Sequence, residues 1–168
     1  MRKEHSFLSH LRIFTPYISH NIKMTDKPTI IKGGTFSDNR GTLRFVNDFS
    51  FSDIKRFYII KHPDTTIVRA WQGHQVEKKY FYPISGSFVI AWVKIDDFKK
   101  PSSKLIPEYH ILSSKNSEIL SLPKGYANGL KALEPNSEIM ILTDMSIEES
   151  AIENIRYPAD WWLDWDII

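Results

Sequence analysis

Arg69, Gln72, His74 and Lys79 crowd into one short stretch, Ile67-Val68-Arg69-Ala70-Trp71-Gln72-Gly73-His74 and on through Lys79 to Ser85-Gly86. They supply a guanidinium, an amide, an imidazole and an ammonium. Together these groups suit the gripping of an anionic, hydroxylated ligand. An arginine in an apolar strand must be paired or face a ligand, because an unpaired buried charge is costly. Imidazole is the side chain best poised for proton transfer near neutral pH. Lys78 and Lys79 are adjacent, so on a strand they point to opposite faces and at most one lines a pocket. Arg40, in the turn Ser37-Asp38-Asn39-Arg40-Gly41, adds a planar fork of donors suited to phosphate oxygens. Each residue also has a plain structural reading. Arg40 then caps a turn, His74 is a hydrogen-bonded strand histidine, and Lys79 is a solvated strand lysine.

The elements that must position them are short. From Thr29 onward apolar runs alternate with turn signals, at the spacing of an all-β sandwich or barrel. Expected strands are Thr29 to Ile31, Thr42 to Val46, Lys55 to Lys61, Thr66 to Trp71 and Lys78 to Ile84. Phe88 to Val93, Tyr109 to Leu112, Glu118 to Leu122, Asn128 to Leu133 and Glu138 to Leu142 complete the set. Ser85-Gly86-Ser87 reads as a hairpin turn joining two of them. Ser146-Ile147-Glu148-Glu149 is a capping box, opening a single helix of two to three turns that ends before Pro158. The aromatic tail Trp161-Trp162-Leu163-Asp164-Trp165 is expected to cover the sandwich or a subunit contact.

At 168 residues the chain fits one domain with a core of its own. A formal charge of +2, with no basic run or stripe, argues against a nucleic-acid partner. No cysteine is present, so disulfides and thiolate metal sites are excluded. No run of apolar residues reaches membrane-span length. Met1-Arg2-Lys3 is basic, but Phe7 to Ile22 is interrupted by Ser9, His10, Arg12, Pro16 and His20, unlike a secretory leader. The expectation is a cytoplasmic protein with an N-terminal extension over residues 1–23 and one domain over 24–168. Nucleotide-binding glycine loops and the hydrolase Gly-x-Ser-x-Gly motif do not occur.

Phe36-Ser37-Asp38-Asn39-Arg40-Gly41, Arg69-Ala70-Trp71-Gln72, Lys79 ahead of Gly86, and Pro123-Lys124-Gly125-Tyr126-Ala127-Asn128-Gly129 recur in a telling order. In that order they resemble the dTDP-4-dehydrorhamnose 3,5-epimerase cupins and their relatives, the dTDP-4-keto-6-deoxyglucose 3,4-ketoisomerases and WxcM-like sugar isomerases. The resemblance runs from about Gly34 to Pro158. It implies a double-stranded β-helix, the cupin jelly roll, usually dimeric, with a nucleotide-linked deoxy-sugar held between two sheets and no cofactor. It implies substrate-binding roles for Arg40, Arg69, Gln72, Lys79, Tyr82 and Asn128.

The same resemblance puts Gln72 where these enzymes carry a histidine, which in the epimerases is the base, and glutamine cannot accept a proton at neutral pH. Asn128 replaces a second histidine, and Met140 falls at the epimerases' catalytic tyrosine. His74 matches the second histidine of the ketoisomerase motif and becomes the expected base, with Tyr58 and Tyr82 as the candidates to polarise the ketone. The cupin metal positions read Gln72, His74, Lys79 and Asn128, an under-coordinated set containing an ammonium, so no metal is expected. Two readings follow: a cofactor-free isomerase or epimerase in surface-polysaccharide precursor synthesis, or a sugar-nucleotide-binding cupin that has lost its base.

Overall fold

A computed structural model describes residues 26–168, and the expected extension over residues 1–23 lies outside the described residues. The chain opens with β1 (Thr29–Lys32), β2 (Gly34–Asp38), β3 (Gly41–Phe45), β4 (Arg56–His62), β5 (Val68–His74) and β6 (Lys79–Ser85). It continues with β7 (Ser87–Lys94), β8 (Glu108–Ser113), β9 (Glu118–Leu122), β10 (Tyr126–Ala132) and β11 (Ser137–Thr143). Helix α1 (Ile147–Ile152) and the two-residue β12 (Ile155–Arg156) close the described elements. One sheet has the order β1-β9-β6-β11-β4, the other β12-β5-β10-β7-β8, and β2 pairs with β3 as a separate ribbon. From β4 to β7 successive strands alternate between the two sheets, and after β8 the alternation resumes. That winding is the double-stranded β-helix, or jelly roll, with every ladder antiparallel.

Alternation decides which side chains meet between the sheets. Phe81, Ile139 and Ile141 from the first sheet pack against Phe88, Ile90, Trp92 and Leu130 from the second. Each such side chain contributes about 1.5–3 kcal/mol by leaving water. The outer face of the second sheet is also buried. Trp71, Val89, Ala91, Val93 and Ala127 lie under Trp161, Trp162 and Trp165 of the C-terminal tail. Trp71 Nε1 donates to the Trp161 carbonyl at 2.7 Å, which fastens the tail down. The tail therefore covers the sandwich, and it explains why β7 is buried on both faces from Ser87 to Val93.

Three expectations change. Ser85-Gly86-Ser87 is not a hairpin: β6 pairs with β11 and β9, β7 with β10 and β8. It is a corner at which the chain leaves one sheet for the other. Gly86 has φ +67°, and a Cβ there would lie 1.9 Å from Ser137 Oγ, so glycine is needed for the corner as it would be for a turn. The helix is also shorter than two to three turns. Its capping box is present, with Glu149 N donating to Ser146 Oγ at 3.2 Å and Ser146 N to Glu149 Oε2 at 2.7 Å. It stops at Ile152 because Glu153 turns its carboxylate onto the amides of Val76 and Glu77. Finally, β2 and β12 went unrecognised. β2 is almost wholly exposed and β12 is two residues long, so neither carries a strong alternation signal.

Candidate active site between the sheets

β5 and β6 belong to opposite sheets, so the stretch rich in functional groups folds back to face itself across the sandwich. A cavity of about 590 Å³ lies there, within the range that holds small ligands. Arg56, Tyr58 and Ile60 reach it from β4, alternating with the outward Phe57 and Ile59. Lys79 and Phe81 reach it from β6, Asn128 and Leu130 from β10, and Ile141 from β11. From β5 both Arg69 and Gln72 line the wall, although residues three apart should point to opposite faces. The ladder supplies the reason: Asn128 pairs with Gln72 but Leu130 with Arg69, an irregularity that places an extra residue on β5. Such a bulge re-aims a side chain. Helix α1 and the chain after it close one side with Ser150, Asn154 and Arg156.

Beneath Lys79 lies a buried carboxylate. Glu77 is 2% exposed, and its Oε2 is 3.4 Å from Lys79 Nζ and 3.1 Å from His74 Nδ1. Its Oε1 accepts from Thr143 Oγ1 at 2.5 Å and Ser150 Oγ at 2.6 Å, and stands 3.5 Å from the Arg56 guanidinium. Burial by itself would raise the Glu77 pKa. The His74 contact, the Lys79 charge and the Ser150 and Thr143 hydroxyls outweigh it and hold this carboxyl well below the usual range. Lys79 Nζ donates to Tyr58 Oη at 3.0 Å, and Arg56 lies over the Tyr58 ring at 5.2 Å. The guanidinium of Arg56 also donates to the Met145 carbonyl and to Ser150 Oγ, which ties β4 to the helix.

Of the expected site residues, Tyr58, Arg69, Gln72, Lys79 and Asn128 surround this one cavity. The choice between the two neighbouring lysines falls to Lys79. Three others stand elsewhere. Arg40 sits at the tip of the β2–β3 ribbon, 83% exposed, paired with Asp38 at 2.7 Å. Tyr82 is on the outward face of β6, because it alternates with Lys79 and Phe81, and Arg44 lies over its ring. His74 is 1% exposed and sits behind the wall, its Nε2 2.8 Å from Asn128 Oδ1. Its Nδ1 approaches Glu77 at ion-pair distance without hydrogen-bond alignment. Burial pushes the His74 pKa down and Lys79 adds to this, against upward pulls from Glu77 and Asn128. His74 is thus not among the side chains that line the cavity.

Arg56, Glu77 and Arg156 escaped the sequence reading. Arg56 shares the inward parity of Tyr58, a signal that alternation makes available. Arg156 was hidden by the longer helix expected there, and Glu77 lies in a turn whose partners are distant in sequence.

His74, Glu77 and Glu153 bring three potential metal-ligand atoms within 4.8 Å of one another. Their oxygens are already committed: Glu77 to two cations and two hydroxyls, Glu153 to two backbone amides. A divalent ion would have to enter beside Lys79 and Arg56, so this donor set does not suit one. Among the described residues no helix is long and apolar enough to cross a membrane.

No family model matches this chain, and no curated protein matches it either. Solved structures do. The sugar 3,4-ketoisomerase QdtA from Thermoanaerobacterium thermosaccharolyticum, in complex with TDP, is 22% identical over 78% of this chain and 88% of that one, with a TM-score of 0.61. A dTDP-4-dehydrorhamnose 3,5-epimerase from Bacillus anthracis str. Ames, with TDP and PPi bound, is 17% identical over 76% and 79%, at 0.60. A dTDP sugar isomerase from Desulfovibrio desulfuricans G20 is 17% identical over 83% and 90%, at 0.67. The structural neighbours are thus dTDP-sugar ketoisomerases and epimerases, and at this identity the likeness establishes a shared jelly-roll fold.

Proposed function

We propose that this protein binds a nucleotide-linked 4-keto-6-deoxyhexose in the intersheet cavity and isomerises it, without a cofactor, in surface-polysaccharide precursor synthesis. The observation that carries the reading is the cavity wall itself. Arg56, Arg69, Lys79 and Arg156 surround a space that also presents the Tyr58 hydroxyl and the Gln72 and Asn128 amides. The guanidinium groups of Arg69 and Arg156 suit a diphosphate, and the neutral donors and acceptors suit sugar oxygens. The TDP and TDP-sugar complexes of the structural neighbours support the same ligand class.

The chemistry falls to Tyr58 and Lys79, because His74 stands behind Asn128. Tyr58 Oη and Lys79 Nζ, 3.0 Å apart, act as one acid–base pair that takes the proton from C3 and gives one to the C4 oxygen as the enediol forms. Loss of the proton on the C3 oxygen and return of the carbon-bound proton to C4 move the ketone from C4 to C3. Atoms and electrons balance with no oxidant or reductant. General acid–base catalysis of this kind contributes about 10²–10⁴-fold.

With TDP-4-keto-6-deoxyglucose in D2O, the wild-type chain is expected to incorporate deuterium at a ring carbon. Tyr58→Phe should slow the exchange by at least about 100-fold while still binding TDP. Absence of deuterium from every ring carbon in the wild type overturns catalysis for this substrate. TDP binding without exchange would favour the second reading, a non-catalytic sugar-nucleotide-binding protein. Gln72 and Asn128 standing in the cavity wall are the observation on its side.

We also propose a homodimer. Phe57 and Ile59 project from the outer face of edge strand β4, 63% and 51% exposed, and Phe36 and Leu43 of the β2–β3 ribbon are 56% and 61% exposed. A second copy can cover both sets, since a two-fold axis brings each patch to the other. It would also bring the Arg40 turn toward a neighbouring subunit. Light scattering should report two chains per particle, and one after Phe57→Ser with Ile59→Ser. A monomeric wild type overturns this.

A further inference from the structure

We infer that Glu77 is the positioning residue of this cavity: it holds the Lys79 ammonium against Tyr58 and keeps Lys79 and Arg56 from collapsing onto a bound anion. The inference rests on the functional reading above, and it assigns Glu77 no contact with ligand.

The geometry is specific. Lys79 has two partners, Glu77 Oε2 at 3.4 Å behind it and Tyr58 Oη at 3.0 Å in front. The ammonium is 4% exposed, so its position is set by these two groups rather than by water. Arg56, on the opposite flank, meets the other oxygen of the same carboxylate. One carboxylate thus anchors two of the four cavity cations, and Thr143 and Ser150 fix its own orientation. Among the described residues no carboxylate lies within ion-pair distance of Arg69 or Arg156, and both remain available to phosphate oxygens.

This arrangement separates two tasks that a cationic pocket otherwise confuses. A diphosphate attracts every nearby cation, and an ammonium drawn to it would leave the tyrosine it must serve. A fixed buried anion 3.4 Å away competes for that ammonium. Misplacing a catalytic group by about 1 Å can cost roughly 100-fold in rate.

The test compares wild type, Glu77→Gln and Glu77→Asp as full-length chains, with TDP as the binding probe and TDP-4-keto-6-deoxyglucose in D2O as the exchange probe. Glutamine keeps the shape and can still accept the two hydroxyl hydrogen bonds, but removes the charge. In Glu77→Gln, kcat for exchange should fall about 100-fold. TDP should bind with unchanged stoichiometry and equal or tighter affinity, since the two cations are freed toward the phosphates. Aspartate restores the charge and should recover part of kcat.

A merely structural role would lower TDP stoichiometry and exchange in parallel at constant affinity, and that result overturns the inference. So does wild-type kcat in Glu77→Gln, or an equal loss in both variants. If Glu77→Gln fails to fold, Glu77→Asp alone decides, by whether kcat falls at full TDP stoichiometry. A wild type that binds TDP without exchange removes the catalytic reading, and tighter TDP binding by Glu77→Gln then stands as the test of Glu77. A wild type that neither binds TDP nor exchanges deuterium overturns the functional reading first, and this inference with it.

Discussion

Lys79→Met is expected to cost the folded protein about 3–5 kcal/mol and to abolish deuterium exchange. Both effects have one origin. Lys79 is 4% exposed and lies 3.4 Å from Glu77, which is 2% exposed. Removing Lys79 leaves the buried Glu77 with Arg56, at 3.5 Å, as its one remaining strong cation, and the penalty of that under-compensated charge exceeds the worth of the pair itself. Methionine fills much the same volume, so the loss comes from charge rather than from a cavity. Urea unfolding followed by Trp fluorescence would measure it. The double variant Lys79→Met with Glu77→Gln should recover part of the stability, because no buried carboxylate is left short of a cation. A single-variant loss below about 1 kcal/mol, or strictly additive losses, would show that the two groups are not coupled.

Stability should fall in two stages as the solution is acidified. Burial holds His74 and His62 below the ordinary imidazole value of 6.5, so the native state takes up fewer protons than the unfolded chain. For His62 the positive Arg69 adds to burial and Asp64 opposes it, and both of its ring nitrogens are without a hydrogen-bond partner. Their contribution is complete above pH 6.5 and is lost as pH falls toward the depressed native values, at up to about 1.4 kcal/mol per pH unit for each. Glu77 acts lower down. Its native pKa lies well below the ordinary 4.5, so its stabilisation is present above 4.5 and drains away beneath it. Thermal melts between pH 7.5 and 3.5 should show Tm declining first below 6.5 and more steeply below 4.5. A flat Tm between pH 6.5 and 5 would mean that neither histidine is buried neutral.

Much of the jelly roll was legible because strand alternation is a local property. Lys55 to Lys61 differs from β4 by a residue at either end, and Glu118 to Leu122 is β9 as it stands. The capping box at Ser146 and Glu149 was equally local, and its hydrogen bonds are in place. What local reading missed was partnership. Ser85-Gly86-Ser87 has the composition of a hairpin turn, yet the strands it joins pair with others, because sheet membership depends on strands far away in sequence. The extent of α1 was misjudged for a similar reason: Glu153 ends it by bonding amides at Val76 and Glu77, some 76 residues earlier.

The site divides along the same line. Residue types brought out Arg69, Gln72 and Lys79, the resemblance to sugar-nucleotide epimerases and ketoisomerases added Tyr58 and Asn128, and parity alone limited the adjacent lysines to one. Depth was beyond the sequence. His74 and Gln72 share a parity, but only packed sheets show that Asn128 stands between His74 and the cavity. Tyr82 and Lys79 are three residues apart, and the regular pleat of β6 sends them to opposite faces. Arg69 and Gln72 are also three apart, and the irregular ladder of β5 brings them to the same one. Periodicity along the chain thus determined which side chains share a face. Which faces meet, and that one buried carboxylate at Glu77 gathers cations from two strands, was decided by tertiary packing, because ion-pair energies depend on three-dimensional distance and burial rather than on separation along the chain.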